Sequence, residues 1–386
     1  MIVGAGIAGA TAAWSLAREH GIEALLLERE RQPGLHASGK NASILRTAMN
    51  DPLLHSLARA SAAFYRQPPA GFSTKPLLRP TGTFLCATAE AADTMAAWIS
   101  EPACAEGVAE VSLARLREAW PQLAPGVARC WLHAGDGVLD VSAILAGLIH
   151  GAQAAGAQMR CVTRVLELAR EADGAVRGVR VLTSGSGAPE EIEADAVLLA
   201  GGGWAAEPAA AAGLALPLRA MRRHILVTAP LVGIPPDGPV VWIVGDDFYF
   251  RPCEGGLLTS ACDEIETDPA EGERTDPEVA RLISDKTARW LPAWANAPAA
   301  RVWAAMRTFA PDSRFVLGPD PRAVGLYWAA ALGGHGITCG PEAGRIAAAW
   351  AAGAAPHPLA AAFLPERLFT AAASQAVMPA AASLLG

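Results

Sequence analysis

The chain opens Met1-Ile2-Val3-Gly4-Ala5-Gly6-Ile7-Ala8-Gly9, and Glu28 closes a second apolar run, Ala24-Leu25-Leu26-Leu27. Glycines at this spacing demand a strand, a tight turn and a helix. Gly4 makes the turn, Gly6 lets backbone approach a pyrophosphate, and Gly9 lets helix and strand pack closely. The pyrophosphate would rest on free N–H groups at the helix start. Residues 10–20 are rich in helix formers and end at Gly21, a suitable stop. Glu28 follows the motif by about 20 residues, where a carboxylate accepts hydrogen bonds from ribose hydroxyls. Only Ile2 and Val3 precede the turn, against about five or six residues in a usual strand. The start of the chain is therefore expected to be truncated. Taken alone, the motif leaves NAD and FAD equally open.

With 386 residues, two domains are expected. Hydrophobic residues make up 52% and charged residues 18%, enough apolar material for a compact core. A net charge of −7 with scattered Lys and Arg argues against nucleic acid as a partner. The seven cysteines are widely spaced with no CxxC pair, which fits a reduced, cytoplasmic protein with no metal site. No apolar run approaches the length of about 18 residues needed to span a bilayer. The Ala-rich stretch 346–363 comes nearest and is broken by Gly353 and His357.

Helices are expected over 51–65 and 141–155, and strands over 158–169, 176–182 and 196–200. The last of these enters Gly201-Gly202-Gly203-Trp204, where glycines after a buried strand again suggest backbone approaching a ligand, or a tight packing turn. Prolines 68, 69, 76 and 80 mark a change of regime. The expected division is a discontinuous nucleotide domain over 1–60, 140–212 and 301–386, with a substrate domain over 61–139 and 213–300.

Taken together, these motifs resemble the FAD-dependent D-amino-acid oxidase superfamily over nearly the whole chain. The features that carry the likeness are GAGIAG with Glu28-Arg29, the Ser38-Gly39 loop, the strand ending at Gly201 to Trp204, Arg307 with Pro311-Asp312, and Gly333-Gly334-His335-Gly336-Ile337. Within that group, Pro68-Pro69-Ala70-Gly71-Phe72, Pro76-Leu77-Leu78 and Phe248-Tyr249 are most similar to bacterial D-arginine dehydrogenase and related D-amino-acid dehydrogenases. The resemblance implies an α/β fold, a Rossmann-type FAD domain beside a mixed-sheet substrate domain. It also implies FAD held by Gly4, Gly6, Ala8, Gly9, Glu28, Arg29, the loop Ala37, Ser38, Gly39, Lys40, Asn41, Ala42 and Ser43, and the Val165 backbone. Gly201, Gly203, Trp204 and the run Gly333, Gly334, His335, Gly336, Ile337 and Thr338 complete that set.

The implied reaction removes hydride from the Cα of a D-amino acid or related imino acid, giving an imine, and needs an electron acceptor: O₂, a quinone or a partner protein. The substrate carboxylate needs a bidentate guanidinium, for which Arg307 is the first choice, with Tyr249 and Arg223 as further contacts. The alternatives are an Arg307–Asp312 pair, a solvated face shared by Arg223, Arg222 and Arg219, and a purely structural Tyr249. His335 is expected either at the flavin edge or in a structural role. The substrate pocket is expected to include Ile44, Met49, Thr83 and Gly334. Because Thr83 stands where D-arginine dehydrogenase has a glutamate, a neutral or apolar substrate side chain is expected. The position used for a flavin thioether in sarcosine-type oxidases falls near Ala305, so FAD is expected to be non-covalent, with Cys339 and Cys262 as inert thiols. Other readings are a sarcosine, glycine, imino-acid or 2-hydroxyacid oxidase, a flavoprotein subunit of a hetero-oligomer, and a plain NAD-dependent dehydrogenase.

Overall fold

A parallel sheet forms around the N-terminal motif because its central strands, Ile2–Val3, Leu25–Leu27 and Val197–Leu199, are short, apolar and largely buried. The computed structural model describes residues 1–355 and 357–369. Ile2–Val3 lies between Val197–Leu199 and Leu25–Leu27, parallel to both. Leu326–Ala330, Val316–Pro319 and Gln158–Arg160 complete six strands, of which Val316–Pro319 alone runs antiparallel to its neighbour. Helix Ile7–Glu19 packs against Val141–Ala154 and Gly336–Ala351. Glycines permit that approach: a Cβ on Gly344 would stand 2.4 Å from Thr11 Cβ, and one on Gly151 2.8 Å from the Trp14 ring.

The strand expected over 158–169 is two. Val162 adopts a φ of 49° and turns the chain from the parallel sheet into Thr163–Arg170, part of a separate three-stranded antiparallel sheet. The second large sheet has nine strands. Its longest pairing joins Arg219–Thr228 to Ala299–Phe309, antiparallel, with Arg223 opposite Ala305 and Met221 opposite Arg307. Apolar side chains of this sheet, among them Phe84, Phe248 and Phe250, pack with Trp120 and Trp290 into a core separate from that of the parallel sheet.

The expected boundary at 300/301 falls inside strand Ala299–Phe309, which belongs along its length to the nine-stranded sheet. The boundary at 60/61 falls inside helix Pro52–Arg66, which packs on Gly336–Ala351 beside the parallel sheet. Residues 370–386 of the expected nucleotide domain lie outside the described residues.

Candidate functional site

One cavity runs from the glycine motif to Arg307. Gly4, Gly6, Ala8, Glu28, Arg29, Val165, Gly201, Gly203, Trp204 and Gly333 to Thr338 line it, as do Ala37, Ser38 and Lys40 to Ser43. At Gly6 a Cβ would stand 3.0 Å from Ser38 Oγ, so only glycine leaves the backbone open there. The two remaining glycines of the expected cofactor set act differently. Gly9 and Gly39 do not line the cavity. A Cβ on Gly9 would lie 1.9 Å from the Gly4 carbonyl oxygen, and one on Gly39 2.3 Å from that of Gly34, so both are packing glycines.

Glu28 shapes the turn as well as facing the cavity. Its Oε2 accepts the Ala5 N–H at 2.8 Å and its Oε1 the Glu30 N–H at 2.9 Å. Each oxygen keeps a further lone pair for a ribose hydroxyl. Ser38 Oγ accepts the Ile7 N–H at 2.9 Å, tying the cofactor loop to the first turn of the helix. Residues from the nine-stranded sheet fasten the same loop. Arg251 Nε donates to Ala42 O at 2.7 Å, and Trp303 Nε1 donates to Lys40 O at 3.3 Å. Arg29 lies over the Trp204 ring, its Cζ 3.6 Å from the centroid.

At the far end, the antiparallel register places Arg223 and Arg307 on one face of neighbouring strands, because residues 305 and 307 point the same way. Glu264 Oε1 accepts from Arg223 Nη2 at 2.6 Å and lies 3.7 Å from Arg307 Nη1. Arg223 Nε and Nη1 and Arg307 Nη1 are buried with no hydrogen-bond partner. Such donors are costly to leave unmade, and a carboxylate satisfies them. Burial, then the neighbouring positive charge of Arg223, brings Arg307 down to about 10. Burial also acts against Arg223, yet Cys262, Glu264 and Tyr249 hold it above its ordinary range. Neither arginine follows the alternative reading of a surface pair: Asp312 pairs with Arg367, and the solvent-facing Arg219 pairs with Glu266.

Tyr249 lines the cavity, fully buried, and burial raises its phenol above the usual range. His335 sits at the N-cap of helix Gly336–Ala351. Burial, followed by Arg46, Arg307 and Arg223, holds its imidazole well below 6.5. A base that weak is unsuited to take the substrate proton near neutral pH, so His335 offers a neutral polar contact.

Ile44 and Gly334 line the cavity as expected. Met49 and Thr83 do not. Met49 lies in the core beside helix Pro52–Arg66, and Thr83 is fully buried in the nine-stranded sheet, opposite His133 and Val240. The argument for a neutral substrate side chain drawn from Thr83 therefore falls away. Sequence reasoning missed Arg46, Trp242, Ile225 and the cavity's ion partner Glu264. Arg46 is 3% exposed and stacks on Trp242 with its Cζ 4.5 Å from the ring centroid. The one signal for it was an arginine directly after the apolar pair Ile44-Leu45. Cys262 and Cys339 are buried and do not line the cavity. No helix among the described residues is long and apolar enough to cross a membrane.

The residues present fit a flavin dinucleotide. A glycine cradle and the Glu28 carboxylate, which could hold a ribose, stand at one end, and unsatisfied guanidinium donors, which could hold a small acid, stand at the other.

Comparison with known proteins agrees. The 4-methylaminobutanoate oxidase (formaldehyde-forming) of Paenarthrobacter nicotinovorans is 28% identical over 363 residues, covering 91% of this chain and 43% of that protein. The chain thus spans less than half the length of that relative. The structure of L-proline dehydrogenase from P. horikoshii superposes with a TM-score of 0.84 at 21% identity, covering 95% of this chain and 96% of the other. Glycine oxidase from Geobacillus kaustophilus gives 0.79 at 24% identity, over 94% and 96% of the two chains. These two likenesses establish a shared fold: a Rossmann-type FAD domain with a mixed-sheet substrate domain. Residues 1–350 match the DAO family, and the chain is a member of that family of FAD-dependent oxidoreductases.

Proposed function

We propose that the protein removes hydride from the carbon next to nitrogen in an amino or imino acid, giving an imine, with FAD bound non-covalently. For a chiral substrate we propose the D configuration, following the resemblance to D-amino-acid dehydrogenases. The observation that carries this reading is the Arg223–Arg307 pair, whose unsatisfied donors open into the same cavity as the dinucleotide motif. Relatives named for proline, glycine and methylaminobutanoate oxidation support a carbon–nitrogen substrate.

Bound FAD supplies the hydride acceptor. The chain supplies position, the dominant contribution in such a reaction. Arg307 and Arg223 take the carboxylate, Tyr249 offers a phenolic donor, and Trp242 and Ile225 form apolar wall. The amine must reach this site neutral to release hydride. Three guanidiniums around the cavity, those of Arg46, Arg223 and Arg307, disfavour an ammonium and any cationic side chain. Cationic amino acids are thereby excluded on different grounds from those drawn from Thr83. Non-covalent attachment is supported by the absence of any cysteine among the described residues lining the cavity.

The test is an anaerobic titration of the flavin absorbance with D-, L- and N-methyl amino acids, lysine and arginine included. Bleaching by at least one amino or imino acid, and none by the cationic ones, is the expected result. Bleaching by 2-hydroxyacids alone would replace this reading. Acid precipitation should leave the flavin in the supernatant; flavin in the pellet would overturn the non-covalent assignment.

A further inference from the structure

Segment 263–276 begins and ends on one residue, His224. Asp263 Oδ1 accepts the His224 N–H at 2.9 Å and its Oδ2 lies 2.7 Å from His224 Nδ1, while the Asp276 N–H donates to His224 Nε2 at 2.8 Å. Because Nε2 accepts, the ring proton stands on Nδ1 and is donated to Asp263. His224 is fully buried, so both ends of this strap are pinned in the interior. Between the pins, Ile265–Glu266 pairs with Arg222 and Met221, and the Thr267 N–H donates to Ala220 O at 2.9 Å. Arg222 Nη2 donates to Thr267 Oγ1 at 2.9 Å and to Glu271 O at 3.0 Å. The result is a closed loop with adjacent ends, held to the nine-stranded sheet along its length.

The tip of the strap backs the dinucleotide cavity from outside. Gly272 lies against Met306, a lining residue: a Cβ on Gly272 would stand 2.2 Å from Met306 Sδ. Glu273 is not among the described lining residues, but both of its oxygens are taken by residues that are. Oε1 lies 2.8 Å from His36 Nδ1, and Oε2 accepts from Lys40 Nζ, contacts that join residues 237 and 233 positions apart. Burial acts against the Glu273 carboxylate, yet the hydrogen bonds from His36 and Lys40 hold it below its usual range. On its other side, His36 Nε2 meets Glu30 Oε1 at 3.0 Å and Arg29 Nη2 at 3.2 Å, and its ring lies 4.6 Å from that of Trp204. His36 keeps Glu273 in either protonation state. As imidazolium it donates to both carboxylates, and as the neutral Nδ1–H tautomer it donates to Glu273 while Nε2 accepts from Arg29. Arg251 and Trp303 fasten this loop by its backbone, whereas Glu273 fastens it by two side chains of the cavity wall.

We propose that Glu273 is a positioning residue for FAD: from a strap pinned to the nine-stranded sheet, it holds His36 and Lys40 in the cavity wall and so slows release of the dinucleotide. The carboxylate comes from one large sheet, and the loop it holds is tied to the helix that follows the glycine motif through Ser38 Oγ and the Ile7 N–H. With Glu273 neutral, His36 and Lys40 lose their common ionic partner, and the start of the loop loses its tie to the strap. One carboxylate shared by two donors in a partly buried network outweighs a single exposed ion pair. The inference rests on the dinucleotide site and holds whichever amine is oxidised.

Release of FAD tests this without turnover. Flavin-loaded protein is diluted and free FAD is followed by its fluorescence, while melting of the apoprotein is measured separately. Glu273→Gln should release FAD about tenfold faster, the range expected for a lost charge-assisted contact. Its apoprotein should melt within about 2 °C of the unsubstituted protein, because partly exposed ion pairs add little to the fold. Glu273→Asp keeps the charge on a shorter stem and should release FAD at an intermediate rate. Lys40→Met should also speed release, and joined to Glu273→Gln it should give well under the product of the two effects, because both remove one shared contact. Unchanged release in Glu273→Gln would overturn the proposal. Full multiplication of the two effects would overturn it too, since that pattern belongs to residues acting separately. A raised KM for the amino acid with unaltered release would move the effect of the strap to Glu264 and the carboxylate anchor, and would equally reject it. If Glu273→Gln does not fold, Glu273→Asp decides, and release at the unsubstituted rate rejects the assignment.

Discussion

Gly334 has no side chain where Arg307 has its guanidinium: a Cβ on Gly334 would stand 2.7 Å from Arg307 Nη1. The loop after strand Leu326–Ala330 therefore closes on Arg307 at contact distance, bringing together residues from the two large sheets. Arg307 and the loop both line the cavity, so small displacements of one reach the other.

Gly334→Ala should push the Arg307 guanidinium aside while leaving the glycine motif untouched. The expected outcome is retained flavin with a KM for the amino acid raised about tenfold, since misplacement costs positioning. Arg307→Met should go further, raising KM about 30-fold or more, the equivalent of about 2 kcal/mol for a lost buried charge contact. Steady-state kinetics with flavin content measured alongside decide both. Unchanged KM in Arg307→Met would remove it as the anchor.

The motif glycines should separate by role. In Gly9→Ala the new methyl meets the Gly4 carbonyl at 1.9 Å, a backbone clash expected to cost about 3 kcal/mol and to lower the apoprotein melting temperature. In Gly6→Ala the neighbour is Ser38 Oγ at 3.0 Å, a side chain that can turn away. That variant should melt near the unsubstituted protein and bind FAD more weakly. Thermal melts and flavin titration together test this, and the reverse pattern would refute the division.

Glu264→Gln should destabilise the protein by about 2 kcal/mol. It leaves Arg223 and Arg307 without their shared countercharge, while the partial exposure of Glu264 keeps the loss below that of a fully enclosed pair. A carboxylate ligand supplies the missing charge. Added acid should therefore raise the melting temperature more in the variant than in the unsubstituted protein. Equal shifts would show that Glu264 does not share the anion site.

Acid should weaken the fold partly through His335. In the unfolded chain its imidazole takes up a proton near 6.5, whereas in the fold burial and then Arg46, Arg307 and Arg223 keep its pKa well below that. The unfolded state then binds more protons below 6.5, so the contribution of neutral His335 is full above that pH and is lost as pH falls. His335→Asn should flatten the fall in melting temperature between pH 7 and pH 5. An unchanged slope would contradict the neutral imidazole.

Local chemistry made much of the nucleotide half legible. Gly9 and Glu28 are demanded by contacts within one strand–turn–helix–strand unit, Gly9 against Gly4 and Glu28 on the Ala5 N–H, and helix stretches such as Pro52–Arg66 and Val141–Ala154 begin at Asp caps readable in the chain. Arg307 was reachable from sequence because of its place before Pro311-Asp312 in a resembled family. Thr83 and Met49 went astray because that resemblance had to be carried through a region of weak register, where a slip in a strand moves side chains to the other face.

By itself, then, the sequence determined a dinucleotide cradle and an α/β fold, since both rest on patterns close along the chain, while resemblance to a family singled out Arg307. Only the tertiary structure decided how the far end of the cavity is charged. Arg46, Trp242, Arg223 and Glu264 are distant in sequence and belong to different walls, and nothing local requires them to meet. Their meeting depends on the pairing of Arg219–Thr228 with Ala299–Phe309 and on the closure of the two large sheets around one cavity, which together gather cations that no single segment displays.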